Sequence, residues 1–354
     1  MNILLFLPDI SRRGGVERVV ANLANLFITW PGYKVTVLSC FNTNTGTPYH
    51  IHPNVGIECL NARKYPAAAI KKMHWYVNLA KPLSDYLNTN PHDFVLANGS
   101  YLCTTLSLTV ANGAVKIGCE HIGHHSVNLL HKIIRRVLYP RLDKLVVLTA
   151  KDRIFFSRFL NNVTCIPNFL ENQPEQQPQL TEKVIISAGR LSHQKGFDLL
   201  LGAFAKVSKT YPDWRLVIYG EGEERAKLED RARKLEITKL VELPGETEML
   251  AEKFSTAAFF VMSSRYEGFP MTLLEAMQAG LACISFNCSG PDEIIDHNTN
   301  GILVEQGDVQ KLAEAVTKLI ADEEKRKQIA ENARRKIMEY TVGNIGKKWE
   351  ELLR

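Results

Sequence analysis

Short apolar runs alternate with amphipathic stretches along most of this chain. Residues 2–8 form a near-continuous apolar run, which predicts a strand buried on both faces. Residues 16–29 repeat their apolar positions at helical spacing, and residues 34–40 return to a strand pattern. The alternation continues. Strands are expected at 56–60, 94–97, 116–120 and 145–148, with helices at 67–88, 102–111 and 126–137. Pro82 should kink the first of these, because it lacks the N–H that a helix interior needs. Strand and helix in regular alternation predict a parallel sheet covered on both faces.

The pattern breaks at residues 171–182, ENQPEQQPQLTE, a polar stretch rich in Pro and Gln that reads as a linker. Afterwards it restarts. Strands are expected at 184–188, 215–219, 240–243, 258–262, 282–286 and 301–304. Helices are expected at 198–209, 223–235, 270–278, 309–321 and 323–340. Leu200, Phe204 and Val207 share one face of the first, and Pro270 is placed in the first turn of the third. The fold class is therefore α/β, with two doubly wound Rossmann-like domains facing across a cleft at the carboxyl ends of their strands. The boundaries are 1–168 for the first domain, 169–182 for the linker and 183–354 for the second. The last helix, about 340–354, is expected to pack back on the first domain.

At 354 residues the chain can bury two such cores. It contains no uncharged apolar run of transmembrane length and no basic leader with a cleavage pattern, so it is expected to be cytoplasmic. The seven cysteines form no C-x-x-C pair and read as small buried hydrophobes. The net charge of +5 conceals an asymmetry. Residues 1–165 hold 18 Lys and Arg against 8 Asp and Glu, whereas residues 166–354 hold 25 against 30. A basic first half points to an anionic partner or to a solvated surface rich in lysine.

Three motifs sit between predicted strands and helices. In Arg12-Arg13-Gly14-Gly15-Val16-Glu17, the Gly pair lets backbone approach a ligand, with a helix N-terminus behind it, or it makes a plain turn. It is not G-x-G-x-x-G, so a nicotinamide site is poorly supported. The loop from Gly189 to Gly196 places Arg190 and Lys195 after a strand and before a helix. Two cations there suit a diphosphate, the alternative being two surface cations. In the stretch Glu267-Gly268-Phe269-Pro270 to Glu275, two carboxylates flank a Gly-Phe-Pro turn. They suit vicinal sugar hydroxyls, or else are a helix acid and a surface acid.

Together these residues resemble the large retaining GT-B glycosyltransferase family 4. Further segments match it: Pro244-Gly245, Ser289 to Ile295, and Asn300 to Val304. The resemblance implies that Arg190 and Lys195 bind the donor diphosphate and that Glu275 binds the nucleotide ribose. It implies that Glu267 and the Gly268–Phe269 backbone surround the transferred sugar. Gly14 and Gly15 would approach the donor phosphate, and residues 241–246, with Pro244 and Gly245, would flank the base. The donor is expected to be an NDP-sugar, specifically a UDP-sugar. The acceptor is expected to be a lipid-linked saccharide in bacterial surface glycan synthesis, such as O-antigen, capsule or lipopolysaccharide. A UDP-sugar epimerase, a phosphorylase and a non-catalytic glycan-binding subunit are the rival readings on the same fold.

Glu120-His121-Ile122-Gly123-His124-His125 follows a strand of the first half. No carboxylate or Cys stands at convincing ligand spacing, and no Asp-x-Asp occurs, so no metal or other cofactor is expected. The resemblance places His121 near the transferred sugar, either as a hydrogen-bonding group or as a proton donor to the leaving phosphate. Arg63-Lys64-Tyr65, Lys71-Lys72-Met73-His74-Trp75-Tyr76, and the set Lys132, Arg135, Arg136 and Arg141 are basic with aromatic or apolar neighbours. They suit peripheral docking on the anionic inner face of the cytoplasmic membrane, or ordinary helices packed one side on the sheet. No nucleic-acid module is recognised.

Overall fold

The computed structural model describes residues 1–63, 69–170 and 182–354. The polar stretch at 171–181 and residues 64, 65, 67 and 68 of the basic and helical stretches lie outside them. The chain forms two compact units, Met1–Phe169 with Val342–Arg354, and Leu170–Thr341.

Among the described residues, the first unit is a seven-stranded parallel sheet. Its strands are β1 (Asn2–Leu7), β2 (Lys34–Ser39), β3 (Gly56–Cys59), β4 (Phe94–Asn98), β5 (Val115–Cys119), β6 (Lys144–Val147) and β7 (Val163–Cys165). The order β3-β2-β1-β4-β5-β6-β7 is doubly wound, with the reversal between β1 and β4. Ile3 to Leu7 are fully buried because helices cover both faces, which is why β1 is apolar without alternation. The terminal helix Val342–Leu352 belongs to this unit and sets Trp349 edge-on to Phe27, centroids 5.6 Å apart.

The second unit repeats the design with β8 (Val184–Ala188), β9 (Arg215–Tyr219), β10 (Val241–Gly245), β11 (Phe259–Met262), β12 (Ala282–Phe286) and β13 (Ile302–Val304). They run β10-β9-β8-β11-β12-β13, all parallel. The expected α/β class with two doubly wound sheets is the architecture observed.

Several local expectations need correction. Pro82 does more than kink its helix. The segment divides into Ala69–Asn78 and Ala80–Thr89, because Pro82 cannot donate to the Asn78 carbonyl one turn back. Helix Ala150–Phe156 and strand β7 were not anticipated. The helix nevertheless carries a readable start signal, since Thr149 Oγ1 accepts from Asp152 N at 3.1 Å and donates to the Asp152 carboxylate at 2.7 Å.

The largest correction concerns the helix expected at 126–137. It runs Leu129–Leu138, capped by Asn128 Oδ1 accepting from His131 N at 2.9 Å. Arg135, grouped above with exposed cations, is 1% exposed. Its Nη2 donates to Glu120 Oε2 at 2.9 Å, and its Nε and Nη2 donate to Ser100 Oγ at 3.0 and 2.8 Å. Tyr139 Oη donates its one proton to Glu120 Oε1 and lies 3.1 Å from the Ser100 carbonyl. A guanidinium has only donors, so Ser100 Oγ accepts from it and sends its own proton to His131 Nε2, 2.6 Å away. That bond requires a neutral imidazole. Burial first, and the Arg135 charge second, lower the His131 pKa to about 4.

The unfolded chain, with an ordinary histidine near 6.5, therefore binds a proton that the folded chain refuses between about pH 6.5 and 4. Stability is expected to fall as pH drops through that window. His131 alone should cost about 2 kcal/mol between pH 7 and pH 5. Denaturant titrations at the two pH values should show a smaller loss for His131→Gln than for the wild type; an equal loss would mean that His131 is protonated in the fold.

Candidate functional site

In the second unit the strand order reverses between β8 and β11. The connections leaving these strands diverge and open a crevice beyond their carboxyl ends, where doubly wound sheets bind ligands. Arg190 and Lys195 follow β8; Glu267, Gly268 and Phe269 follow β11.

The two connections are stitched together. Ser263 Oγ donates to the Lys195 carbonyl at 3.0 Å, and Arg265 N to the Gln194 carbonyl at 2.8 Å. Gly196 adopts φ +63°, and a Cβ there would lie 2.1 Å from the Ser263 oxygen, so only glycine lets the loops meet this closely. Arg265 spans both. Its Nη1 donates to the His193 carbonyl at 2.7 Å, and its fork grips Asp198 at 2.8 and 2.7 Å. Burial would raise the Asp198 carboxyl, but the hydrogen bonds and charge of Arg265 outweigh it and hold the group below its ordinary value.

Within this frame Lys195 Nζ meets Glu267 Oε1 at 2.7 Å, and Ser264 Oγ donates to the same oxygen at 2.6 Å. The two side chains are 19% and 8% exposed, so the pair is sheltered yet reachable. An ammonium carries three donors; Glu267 takes one, and the others can serve an anion. Arg190 is exposed at the start of the same loop. Phe269 is buried and stands edge-on to Tyr340, centroids 5.3 Å apart. Gly290, at φ +94°, comes so near the Gly268 carbonyl that a Cβ would lie 2.5 Å from it.

Pro270 is the N-cap of helix Met271–Gln278, not part of its first turn, because its ψ of 114° is extended. Glu275 is half-buried in the second turn. Pro244 and Gly245 are the last residues of β10, at the sheet edge, and the Gly245 carbonyl accepts from Gly220 N at 2.9 Å.

The remaining predicted residues lie at carboxyl ends in the first unit. Gly14 caps helix Gly15–Ile28 from extended backbone, and Gly15 is exposed with open space around it. The loop before them is fixed by fully buried Asp9, which sequence reasoning missed. Its Oδ1 accepts from Ser11 N at 3.0 Å and Ser11 Oγ at 2.6 Å, and its Oδ2 from Thr43 N at 3.1 Å.

Asn98, at the end of β4, was missed too. Its amide donates to the carbonyls of Phe6 and Leu96, leaving Oδ1 to accept from His121 Nε2 at 3.1 Å. Burial lowers the His121 pKa to about 4, so near pH 7 the ring is neutral, with Nε2 protonated and Nδ1 an acceptor. His124 is tied to Asp152 at 2.7 Å and stacks on Phe155, whereas His125 is exposed. Among the described residues, no three His, Cys, Asp or Glu side chains gather in a way suited to a metal ion.

Residues 168–336 match the family described as glycosyl transferases group 1. The chain is also similar over its length to curated relatives. The amylovoran biosynthesis glycosyltransferase AmsD of Erwinia amylovora is 29% identical, covering 99% of each chain. The Campylobacter jejuni protein named GalNAc-alpha-(1->4)-GalNAc-alpha-(1->3)-diNAcBac-PP-undecaprenol alpha-1,4-N-acetyl-D-galactosaminyltransferase is 28% identical, covering 98% of this chain and 97% of its own. The second unit thus resembles the group 1 glycosyl transferases, and the relatives that span the chain are named as glycosyltransferases. The chain has the GT-B fold. A Staphylococcus aureus TarM variant, solved with fondaparinux, alpha-GlcNAc-glycerol and UDP, superposes with a TM-score of 0.85 at 16% identity, over 100% of this chain and 99% of its own.

Gly196→Ala should force the two connections of the transferase apart. A left-handed backbone and a clash with a carbonyl together predict a loss of about 2 kcal/mol or more, readable by thermal denaturation. An unchanged melting temperature would show that the loops meet less tightly than described.

Proposed function

We propose that this transferase moves a hexosyl or N-acetylhexosaminyl unit from a UDP-sugar to a hydroxyl of a lipid-linked saccharide, with retention at the anomeric carbon. The observation that carries this reading is the sheltered Lys195–Glu267 contact at the β8/β11 reversal, with Arg190 exposed in the same loop as Lys195. The pair offers a cation for a leaving diphosphate and a carboxylate for sugar hydroxyls in one place. The relatives lend support. One is named for an undecaprenyl-diphosphate-linked acceptor, and UDP is bound in the S. aureus neighbour. The names of the relatives that span the chain favour transfer over an epimerase, a phosphorylase or a binding subunit.

In this reading Arg190 and Lys195 hold the diphosphate, and Glu275 accepts from the ribose diol. Glu267 and the Gly268–Phe269 backbone surround the sugar, Pro244 and Gly245 flank the base, and Gly14 and Gly15 approach the phosphate. A double displacement would need a carboxylate under the anomeric carbon, a place that this reading assigns to no residue, Glu267 being kept for the sugar hydroxyls. The acceptor hydroxyl therefore attacks on the face from which UDP departs. As its oxygen bonds to the anomeric carbon, the sugar–phosphate bond breaks, and a phosphate oxygen takes the hydroxyl proton. The two cations stabilise the charge that develops on the phosphate, without a bound metal ion. His121 acts as a neutral acceptor toward a sugar hydroxyl through Nδ1. A ring that titrates near 4 holds no spare proton for the leaving group at neutral pH.

Arg190→Ala is expected to lower kcat by roughly a hundredfold or more, the scale of a lost transition-state donor, with activity unchanged by a chelator. Full activity in the variant, or abolition by chelator, would sink the assignment. Across pH 5.5–8, the kcat/KM profile should show no step that disappears in His121→Gln; such a step would restore His121 as a proton donor.

A further inference from the structure

Helix Leu129–Leu138 is inside out for a protein surface. At about 100° per residue, Leu129, Leu130, Ile133 and Val137 share one stripe, and His131 and Arg135 lie opposite. An ordinary surface helix turns its apolar stripe to the core. Here the polar stripe is buried in the Glu120–Ser100–Tyr139 network, and the four aliphatic side chains are 74%, 59%, 53% and 62% exposed. The bonds of Arg135 and His131 fix the helix rotation, so the apolar stripe cannot roll inward.

Charge and size select the partner. Lys132 and Arg136 border the stripe on one side, and exposed Arg141 follows the helix. The guanidinium of Arg136 is set 5.7 Å over the Phe159 ring. From His121 through Leu142 the chain has no Asp or Glu. A ten-residue helix is about 15 Å long. One face of it falls well short of the roughly 800 Å² per partner that a stable protein interface buries. Among the described residues no helix is long and apolar enough to cross a membrane.

We propose that this helix lies flat in the surface of an anionic bilayer. Leu129, Leu130, Ile133 and Val137 enter the acyl boundary, and Lys132, Arg136 and Arg141 stay among the headgroups. The inference builds on the lipid-linked acceptor proposed above and names the surface that brings the enzyme to it. The earlier expectation of basic docking is thereby narrowed. Arg135 leaves the docking set and becomes the clamp that presents it.

The test is co-sedimentation of the full chain with phosphatidylcholine vesicles, with and without phosphatidylglycerol, at low salt. The wild type should pellet with the phosphatidylglycerol vesicles. Leu130→Ser/Ile133→Ser/Val137→Ser should bind at least about tenfold more weakly. Arg136→Glu should bind several-fold more weakly at low salt and like the wild type at high salt. Circular dichroism identical to the wild type would establish that the triple variant folds. Equal binding by the triple variant, or no wild-type binding to either vesicle, overturns the proposal. So does a concentration-dependent dimer that the triple variant abolishes without any vesicle binding, since the face would then join two copies. Nucleotide release from UDP-sugar without acceptor should be the same in wild type and triple variant. Vesicle binding without any such release would leave the docking face standing and remove the donor reading instead.

Discussion

The contact between Lys195 and Glu267 depends on two loops that a doubly wound sheet throws apart and the sequence then pulls together. Strands β8 and β11 are neighbours whose connections leave in opposite directions. Gly196 lets their backbones touch, Ser263 and Arg265 hold them by hydrogen bonds, and Ser264 shares the Glu267 oxygen that Lys195 holds. Opposite charges this close under partial cover must offset their own desolvation, and in the proposed reading the remaining donors of Lys195 face a bound anion.

The first unit uses buried polarity differently. The ion pair of Glu120 and Arg135 is nearly inaccessible, and a pair of that kind is weak evidence for stability in itself. What it does secure is orientation. Arg135, His131 and Tyr139 meet at Ser100, which fixes one face of helix Leu129–Leu138 inward and leaves the aliphatic face outside. Glu120 is also the residue before His121, so the same anchor steadies the segment that carries that imidazole.

Much of this was legible in the sequence, for stated physical reasons. Parallel strands buried on both faces are apolar almost throughout, so β1, β8 and β12 stood out. The glycine-bounded loop with Arg190 and Lys195 and the Glu267–Glu275 stretch were visible as charge set beside turn chemistry. Three kinds of feature were not legible. Partners far apart in sequence, such as Arg265 with Asp198 and His121 with Asn98, leave no local spacing to read. A short edge strand such as β7, with half-buried residues, carries too little pattern. Helix Leu129–Leu138 has a clear amphipathic period, but periodicity alone does not say which face is turned inward. The buried arginine decides between the two orientations left open.

The most direct test is calorimetric titration of UDP-, GDP- and ADP-sugars into the full chain and into Lys195→Ala. The account predicts binding of one nucleotide class, the UDP-sugars, weakened about tenfold or more in the variant, as loss of a charge-assisted contact to phosphate implies. Equal affinity in the two proteins, or no binding of any nucleotide sugar by the wild type, would contradict it.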